Sequence, residues 1–333
     1  MSKFSPTRRI AHKAILSLAA GATVLFAAPS MASPWPDRAI QMVVPFPAGS
    51  SPDTLARLIA DPLSKALGQA VIVENKPGAG GNIGTRYASQ AKPDGYTILM
   101  TINGPMVTAP TLYKKTLGYN PETDLAPITL VGTSPNVLVV PMDSPAKTVQ
   151  EFVALAKAKP DTLNYGTVGP GSSSHLSMAM LEHQAGIQLQ QIPYTGFPQI
   201  ISSIIGGDIQ ASFMVPGIAM PQITANKARA LAITSLEPSE ILPGIPTMAS
   251  SGYPGFESIS WDAMYAPAGT PVDILDRLNQ AITQILTEPD VSKKMAALYF
   301  TPAPSSPEQL SDLVHKEKKR WDEVIDRLHL SLD

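Results

Sequence analysis

Two stretches of this chain concentrate hydrogen-bond donors where a helix is about to start. The first is PheProAlaGlySerSerProAsp, residues 46–53, which follows an apolar run and precedes a helical pattern from Thr54. Backbone N–H groups in the first turn of a helix have no intrahelical partner, and glycine lets a carboxylate approach them closely. Phe46, Ala48 and Gly49 therefore form a loop suited to an anion. Ser50 and Ser51 add hydroxyls, and Asp53 is placed to cap the helix. The second stretch, residues 166–175, repeats this chemistry with Thr167, Gly169, Gly171, Ser172, Ser173, Ser174 and His175. Each alone is compatible with an ordinary turn. Two such loops at equivalent places in two α/β units could grip both ends of one anion, with Tyr194 meeting the body of the ligand.

Other constellations are weaker. ProGlyAlaGlyGlyAsnIleGly, 77–84, superficially resembles a dinucleotide fingerprint, but Pro77 separates it from the preceding strand and no acidic residue closes the strand at 97–101 to hold a ribose. It reads as a structural turn beside the cleft, and no cofactor is expected. His175 and His183 lie eight residues apart on one predicted helix, too far for a one-turn metal pair, so no metal site is expected either. Ser172 or Ser174 with His175 could serve a secreted hydrolase, yet neither serine sits in a GxSxG elbow, and no catalytic residue is assigned. Trp261 and Asp262 follow a strand and suit either ligand contact or core packing.

The elements that must position these groups alternate. Strands are predicted at 40–45, 71–74, 97–101, 137–140, 163–166, 209–213, 230–234 and 261–266. Helices are predicted at 54–67, 148–158, 175–185, 198–205, 272–286 and 307–328. Alternation predicts an α/β fold with a parallel sheet. A strand, a small-residue loop and a helix start recur in both halves, which suggests two α/β domains facing each other. The final segment should pack back on the first domain. That makes domain one discontinuous, 33–135 plus 250–333, with 136–249 as domain two.

The N-terminus stands outside that fold. Lys3, Arg8, Arg9 and Lys13 precede an apolar run from Ile15 to Ala28 and a small-residue site ending at Ala32, the layout of a cleavable signal peptide over residues 1–32. The apolar run is too short to span a membrane. Removal takes four of the 25 basic residues and none of the 27 acidic ones, leaving a mature charge of −6. Such a surface is a poor platform for nucleic acid, and any anion site must rely on local donors. With no cysteine, disulfides, thiolate chemistry and a lipid-modified N-terminal cysteine are excluded.

At these residues the sequence resembles the extracytoplasmic solute receptors of tripartite tricarboxylate transporters (Bug/TctC-like periplasmic proteins). The strings that carry the resemblance are TrpProAspArgAlaIle (35–40), ValValProPheProAlaGly (43–49), the run from Val71 to Gly84, ProAspGlyTyrThrIleLeu (93–99), HisLeu (175–176), ProTyrThrGly (193–196) and ProAlaGlyThrPro (267–271). The resemblance implies a type II-like periplasmic binding protein whose two domains close about a hinge on a small carboxylate. It implies a monomer that offers its cargo to membrane permease subunits, or a sensor without a dedicated transporter. It assigns one carboxylate to the loop from Phe46 to Asp53 and opposing contacts to the loop from Thr167 to His175. Ser50 departs from the usual pattern, in which a second glycine follows Gly49, and its hydroxyl either meets the ligand or alters the loop. Pro170 stands in a context that is typically glycine-rich.

Overall fold

A computed structural model describes Met1 and residues 35–169, 171–327 and 330–333, so all but the first residue of the expected signal segment lies outside the described residues. Residues 36–333 make one compact unit. Its first part runs through β1 (Ile40–Val44), α1 (Ser51–Leu67), β2 (Val71–Asn75), α2 (Asn82–Ser89), β3 (Thr97–Ile102), the short helices α3 (Ala109–Leu112) and α4 (Pro121–Asp124), and β4 (Leu125–Pro135). The middle part comprises β5 (Val137–Pro141), α5 (Val149–Ala158), β6 (Asn164–Thr167), α6 (Ser173–Ala185), β7 (Gln190–Pro193), α7 (Phe197–Gly206), β8 (Ser212–Met214), α8 (Pro216–Thr224) and β9 (Ala228–Ile233). The chain returns through β10 (Ile259–Pro267), α9 (Val272–Thr287), α10 (Pro289–Ala297), β11 (Thr301–Pro302) and α11 (Pro307–Arg327).

The principal sheet has the order β11-β4-β10-β3-β1-β2. Its strands β1 and β3 read as continuous apolar runs because both faces are covered: Ile40, Met42, Val43, Val44, Ile98, Leu99 and Met100 are fully buried. A wholly parallel sheet is not what forms. β1 pairs in parallel with β2 and β3, joined by helical crossovers, whereas β10 runs antiparallel to β3 and β4. β10 arrives from the other lobe rather than through a βαβ crossover, so the alternation argument does not constrain its direction. β4 itself escapes sequence patterning because Pro127, Gly132 and Pro135 interrupt it. Its outer neighbour β11 pairs only with Thr133 and Gly132, and neither Pro127 nor Pro135 takes part in that pairing. Between them single bonds replace a ladder, from Ala303 N–H to the Val131 carbonyl, from Leu130 N–H to Ser305 Oγ and from Asn279 Nδ2 to the Ile128 carbonyl.

The second lobe carries an antiparallel sheet of order β8-β5-β9 and the parallel pair β6-β7. The strand expected at 209–213 forms at 212–214 instead, with Ile209 and Ala211 buried on its approach. Two passages link the lobes: β4 enters β5 through Asn136, and β9 returns to β10 through residues 234–258. One buried apolar cluster runs through both lobes, holding Leu99, Trp261, Tyr265 and Trp321 with Leu138, Phe152, Phe213 and Phe256. Phe213 and Phe256 stack with ring centroids 5.8 Å apart.

Candidate functional site

The first loop leaves β1 and enters α1 at Ser51, three residues earlier than the pattern suggests. Ser50 is the N-cap residue, and its side chain makes no capping bond. Asp53 is thus not the cap. It lies inside the first turn, 2% exposed, and its carboxylate faces back under the loop. That carboxylate accepts from the Gly49 N–H (2.8 Å), from Asn75 Nδ2 (2.8 Å) and from Arg57 Nε (3.1 Å). Asn75 Nδ2 also donates to the Phe46 carbonyl at 3.0 Å, and Asn75 Oδ1 accepts from Arg57 at 3.0 Å. Burial pushes the Asp53 carboxyl upward, but the bonds from Arg57, Gly49 and Asn75 outweigh it and hold the group below its ordinary value. A buried, ionised Asp53 therefore staples residues 46, 49 and 75, and Arg57 balances its charge.

Gly49 adopts φ +80°, where a side chain is strained. The glycine stretch at 77–84 serves close packing: a Cβ at Gly81 would lie 2.6 Å from Phe46 Cζ, and one at Gly84 would lie 2.6 Å from the Lys76 carbonyl. Two donors stay unused at the mouth of α1. Among the described residues no acceptor takes the N–H of Ser51 or of Asp53. Ser50 Oγ is buried without a partner.

The second loop leaves β6 at Thr167 and enters α6 at Ser173, so Ser173 and Ser174 belong to the helix rather than the loop. Ser172 caps α6, with its Oγ accepting from the His175 N–H (3.3 Å), donating to the Gly169 carbonyl (2.7 Å) and lying 2.9 Å from Ser174 Oγ. Ser174 Oγ accepts from Val168 N, and Thr167 Oγ1 accepts from Gly169 N and Gln191 Nε2. His175 is buried, and its Nδ1 accepts from the Gly171 N–H at 3.0 Å, which leaves the ring proton on Nε2. Burial pulls its pKa down and favours this neutral form. The Tyr194 N–H donates to the Thr167 carbonyl at 2.8 Å, which brings Tyr194 to the base of the loop, where it packs on an apolar cluster. Here too the first-turn N–H groups of Ser173 and Ser174 have no acceptor among the described residues.

Each loop thus gathers its own residues, and no hydrogen bond or ion pair joins one loop to the other among the described residues. The lobes do touch beside the second loop. A Cβ at Gly171 would lie 2.3 Å from Leu112 Cδ1 of α3 and 3.7 Å from Leu332. Cavities of about 210 Å³ at the seam of α6 and α11 and about 310 Å³ along residues 110–122 are lined by neither loop. Among the described residues no His, Asp and Glu group could hold a metal, and no helix is long and apolar enough to cross a membrane. Sequence reasoning missed Arg57, which the i, i+4 spacing from Asp53 could have revealed. It also missed Asn75 and Gln191, whose positions become informative only in three dimensions.

Residues 55–330 match the model of the tripartite tricarboxylate transporter family receptor. BugT of Bordetella pertussis is 34% identical over 304 residues, covering 91% of this chain and 93% of its own. Among solved structures, an R. palustris protein with adipate is 32% identical with a TM-score of 0.82, covering 89% of this chain and 99% of that one. MatC of Rhodopseudomonas palustris with bound malate is 31% identical with a TM-score of 0.77, covering 87% and 99%. With a two-domain α/β fold of the periplasmic binding protein kind and a family match over most of its length, the chain belongs to the tripartite tricarboxylate transporter receptor family.

Proposed function

We propose that this chain is exported to the periplasm, captures a small organic carboxylate between its lobes and delivers it to the permease subunits of a tripartite tricarboxylate-type transporter. The observation that carries the reading is the pair of unused helix-start donors, Ser51 and Asp53 N–H in one lobe and Ser173 and Ser174 N–H in the other. Several charge-assisted hydrogen bonds stabilise a desolvated anion without a lysine or arginine contact. In this reading Phe46, Ala48, Gly49, Ser50 and Ser51 line the first half of the site, with Asp53 shaping it. Thr167, Gly169, Gly171, Ser172, Ser173, His175 and Tyr194 form the second. Lobe closure about the passages near Asn136 and Ser258 brings the halves together, with 33–135 plus 250–333 and 136–249 as the moving bodies.

Adipate and malate on two relatives support a dicarboxylate as the first class to test. A receptor is favoured over a serine hydrolase because the His175 ring nitrogen engages the Gly171 amide rather than a serine hydroxyl. The test is a thermal-shift series with mature protein against adipate, malate, a tricarboxylate and an aromatic monocarboxylate. A saturable rise in melting temperature with one class is expected, since a ligand that binds only the native state stabilises it. No rise with any of them, for folded protein free of carried-over ligand, would overturn carboxylate capture. Cleavage near Ser33 is checked by N-terminal sequencing of periplasmic material.

A further inference from the structure

The passages between the lobes meet at a buried polar node. Asn136 N donates to Thr234 Oγ1 (2.8 Å), Thr234 N donates to the Asn136 carbonyl (3.0 Å), and Asn136 Nδ2 and Thr234 Oγ1 both donate to the Ser258 carbonyl (3.1 and 2.7 Å). Ser258 N closes the ring on the Thr234 carbonyl at 3.0 Å. One hydroxyl enters from outside the passages: Ser177 Oγ of α6 lies 2.6 Å from Ser258 Oγ. Asn136, Thr234 and Ser177 are fully buried and Ser258 nearly so, while Asn136 Oδ1 is buried with no partner. Such a node is not at its hydrogen-bonding maximum, so an arrangement of the passages that satisfies Oδ1 gains a bond this one lacks.

The residues flanking Ser258 are held by the first lobe. Arg320 of α11 pairs with Glu257 at 3.0 Å, and Trp261 Nε1 donates to Glu317 of the same helix at 3.2 Å. Ser177 lies one turn and a half along α6 from the cap residue Ser172, on the helix whose first turn presents the second loop's free donors. The Ser177–Ser258 bond therefore joins a strut fixed to the first lobe with the helix that forms the second half of the site.

We infer that Ser177 is a positioning residue that ties the second loop to the hinge, so that a pull on the start of α6 is transmitted through Ser258 to the lobe angle. The inference rests on the receptor reading for its purpose, but its test needs no cargo. Because the chain has no cysteine, exposed Gln90 of the first lobe and Lys227 of the second can be replaced by cysteine and spin-labelled in the otherwise complete mature protein. Pulsed electron resonance then reads the distance distribution between lobes.

Ser177→Ala and Ser258→Ala are each expected to broaden or shift that distribution by several ångströms, and the double variant should do no more than either single one, because all three remove the same bond. Should Ser177→Ala fold poorly by circular dichroism, Ser258→Ala reads the same bond from the other side. An unchanged distribution in a folded single variant, or additive shifts in the double, would overturn the coupling. These outcomes separate from those of the carboxylate screen. A melting-temperature rise with unchanged distances removes the coupling alone, whereas altered distances without any carboxylate response remove the proposed cargo alone.

Discussion

The two loops look alike in the sequence and are built on different physics. In the first, a buried ionised carboxylate reaches back from the helix and is held by an arginine one turn on and an asparagine at the end of the neighbouring strand. In the second, no ionised group takes part: hydroxyls of residues 167, 172 and 174 and a neutral imidazole satisfy the loop's own amides. The difference matters because a loop fixed by charge from a distant element fails as a unit when one member is lost, whereas a loop fixed by several short-range neutral bonds loses them one at a time.

The largest effect is therefore expected at Asp53. Asp53→Ala strands the Gly49 N–H, takes one of the two acceptors from Asn75 Nδ2 and removes the charged partner of Arg57, which keeps only its bond to Asn75 Oδ1. Loss of one member of a buried charged network costs about 3–5 kcal/mol. Since Arg57 is 53% exposed and solvent screens its share, about 2–3 kcal/mol is the expected loss, with cargo binding abolished. Arg57→Ala should cost clearly less than Asp53→Ala, because solvent already screens the exposed guanidinium and Asp53 keeps its bonds from Gly49 and Asn75. Urea melts of the two variants decide it, and equal costs would mean that the arginine rather than the strand asparagine holds the loop.

Acid should attack the two loops in separate windows. His175 has its pKa lowered by burial, so the unfolded chain binds a proton at a higher pH than the folded one. The stability tied to the neutral ring is fully present above about 6.5 and drains away as pH falls through the lowered folded value, at up to about 1.4 kcal/mol per pH unit. Protonation also puts a proton on Nδ1, where the Gly171 amide already donates. Asp53, held below its usual value, keeps its contribution until pH falls below about 3.9 and loses it as pH passes through the folded value. Melting temperatures from pH 8 to 3 should thus show His175→Gln flattening the upper part of the wild-type decline and leaving the lower part intact. A decline from pH 7 to 5 that is identical in the variant removes His175 from this account.

How much of this was legible in the sequence varies with the range of the interactions. Both loops, the helices that follow them and the apolar runs of β1 and β3 depend on neighbours a few residues apart, and patterning finds them, with the starts of α1 and α6 misplaced by three and two residues. The family resemblance, carried by strings such as residues 43–49 and 71–84, is borne out by the match over residues 55–330. What patterning missed depends on distant partners. β4 carries two prolines outside its two-residue pairing with β11, and the edge between them is bonded by residues 279, 303 and 305, all distant in sequence. Asp53 has the composition of a cap, but Gly49 and Asn75 draw its side chain below the loop. β10 comes back from the other lobe, and nothing in its residues states its direction. Ser177 and Ser258, 81 positions apart, carry no mark of their bond.

A smaller effect is expected at Ser172, the member of the second loop with the most roles. Ser172→Ala removes an N-cap, which costs about 1 kcal/mol of stability. Since the hydroxyl is engaged with the Gly169 carbonyl, Ser174 and the His175 amide, affinity for any carboxylate found by thermal shift should change less than about threefold, which is within about 0.7 kcal/mol. A tenfold loss of affinity by calorimetry would instead mean that this hydroxyl turns to meet the cargo when the lobes close.

Ser50 sharpens the contrast at the smallest scale. Its hydroxyl is buried beside the first loop and has no partner. An unsatisfied buried hydroxyl destabilises the protein that carries it, so removing it is nearly neutral or slightly favourable. Ser50→Ala should therefore leave the stability of the empty protein within about 0.5 kcal/mol of wild type, unlike any change at Asp53. Its binding outcome separates the two roles open to this residue. If the hydroxyl donates to cargo, the variant loses about fivefold in affinity, close to 1 kcal/mol, while keeping its melting temperature. If affinity holds and the empty protein gains stability, Ser50 only shapes the loop, and anion recognition in the first lobe falls to the Ser51 and Asp53 amides.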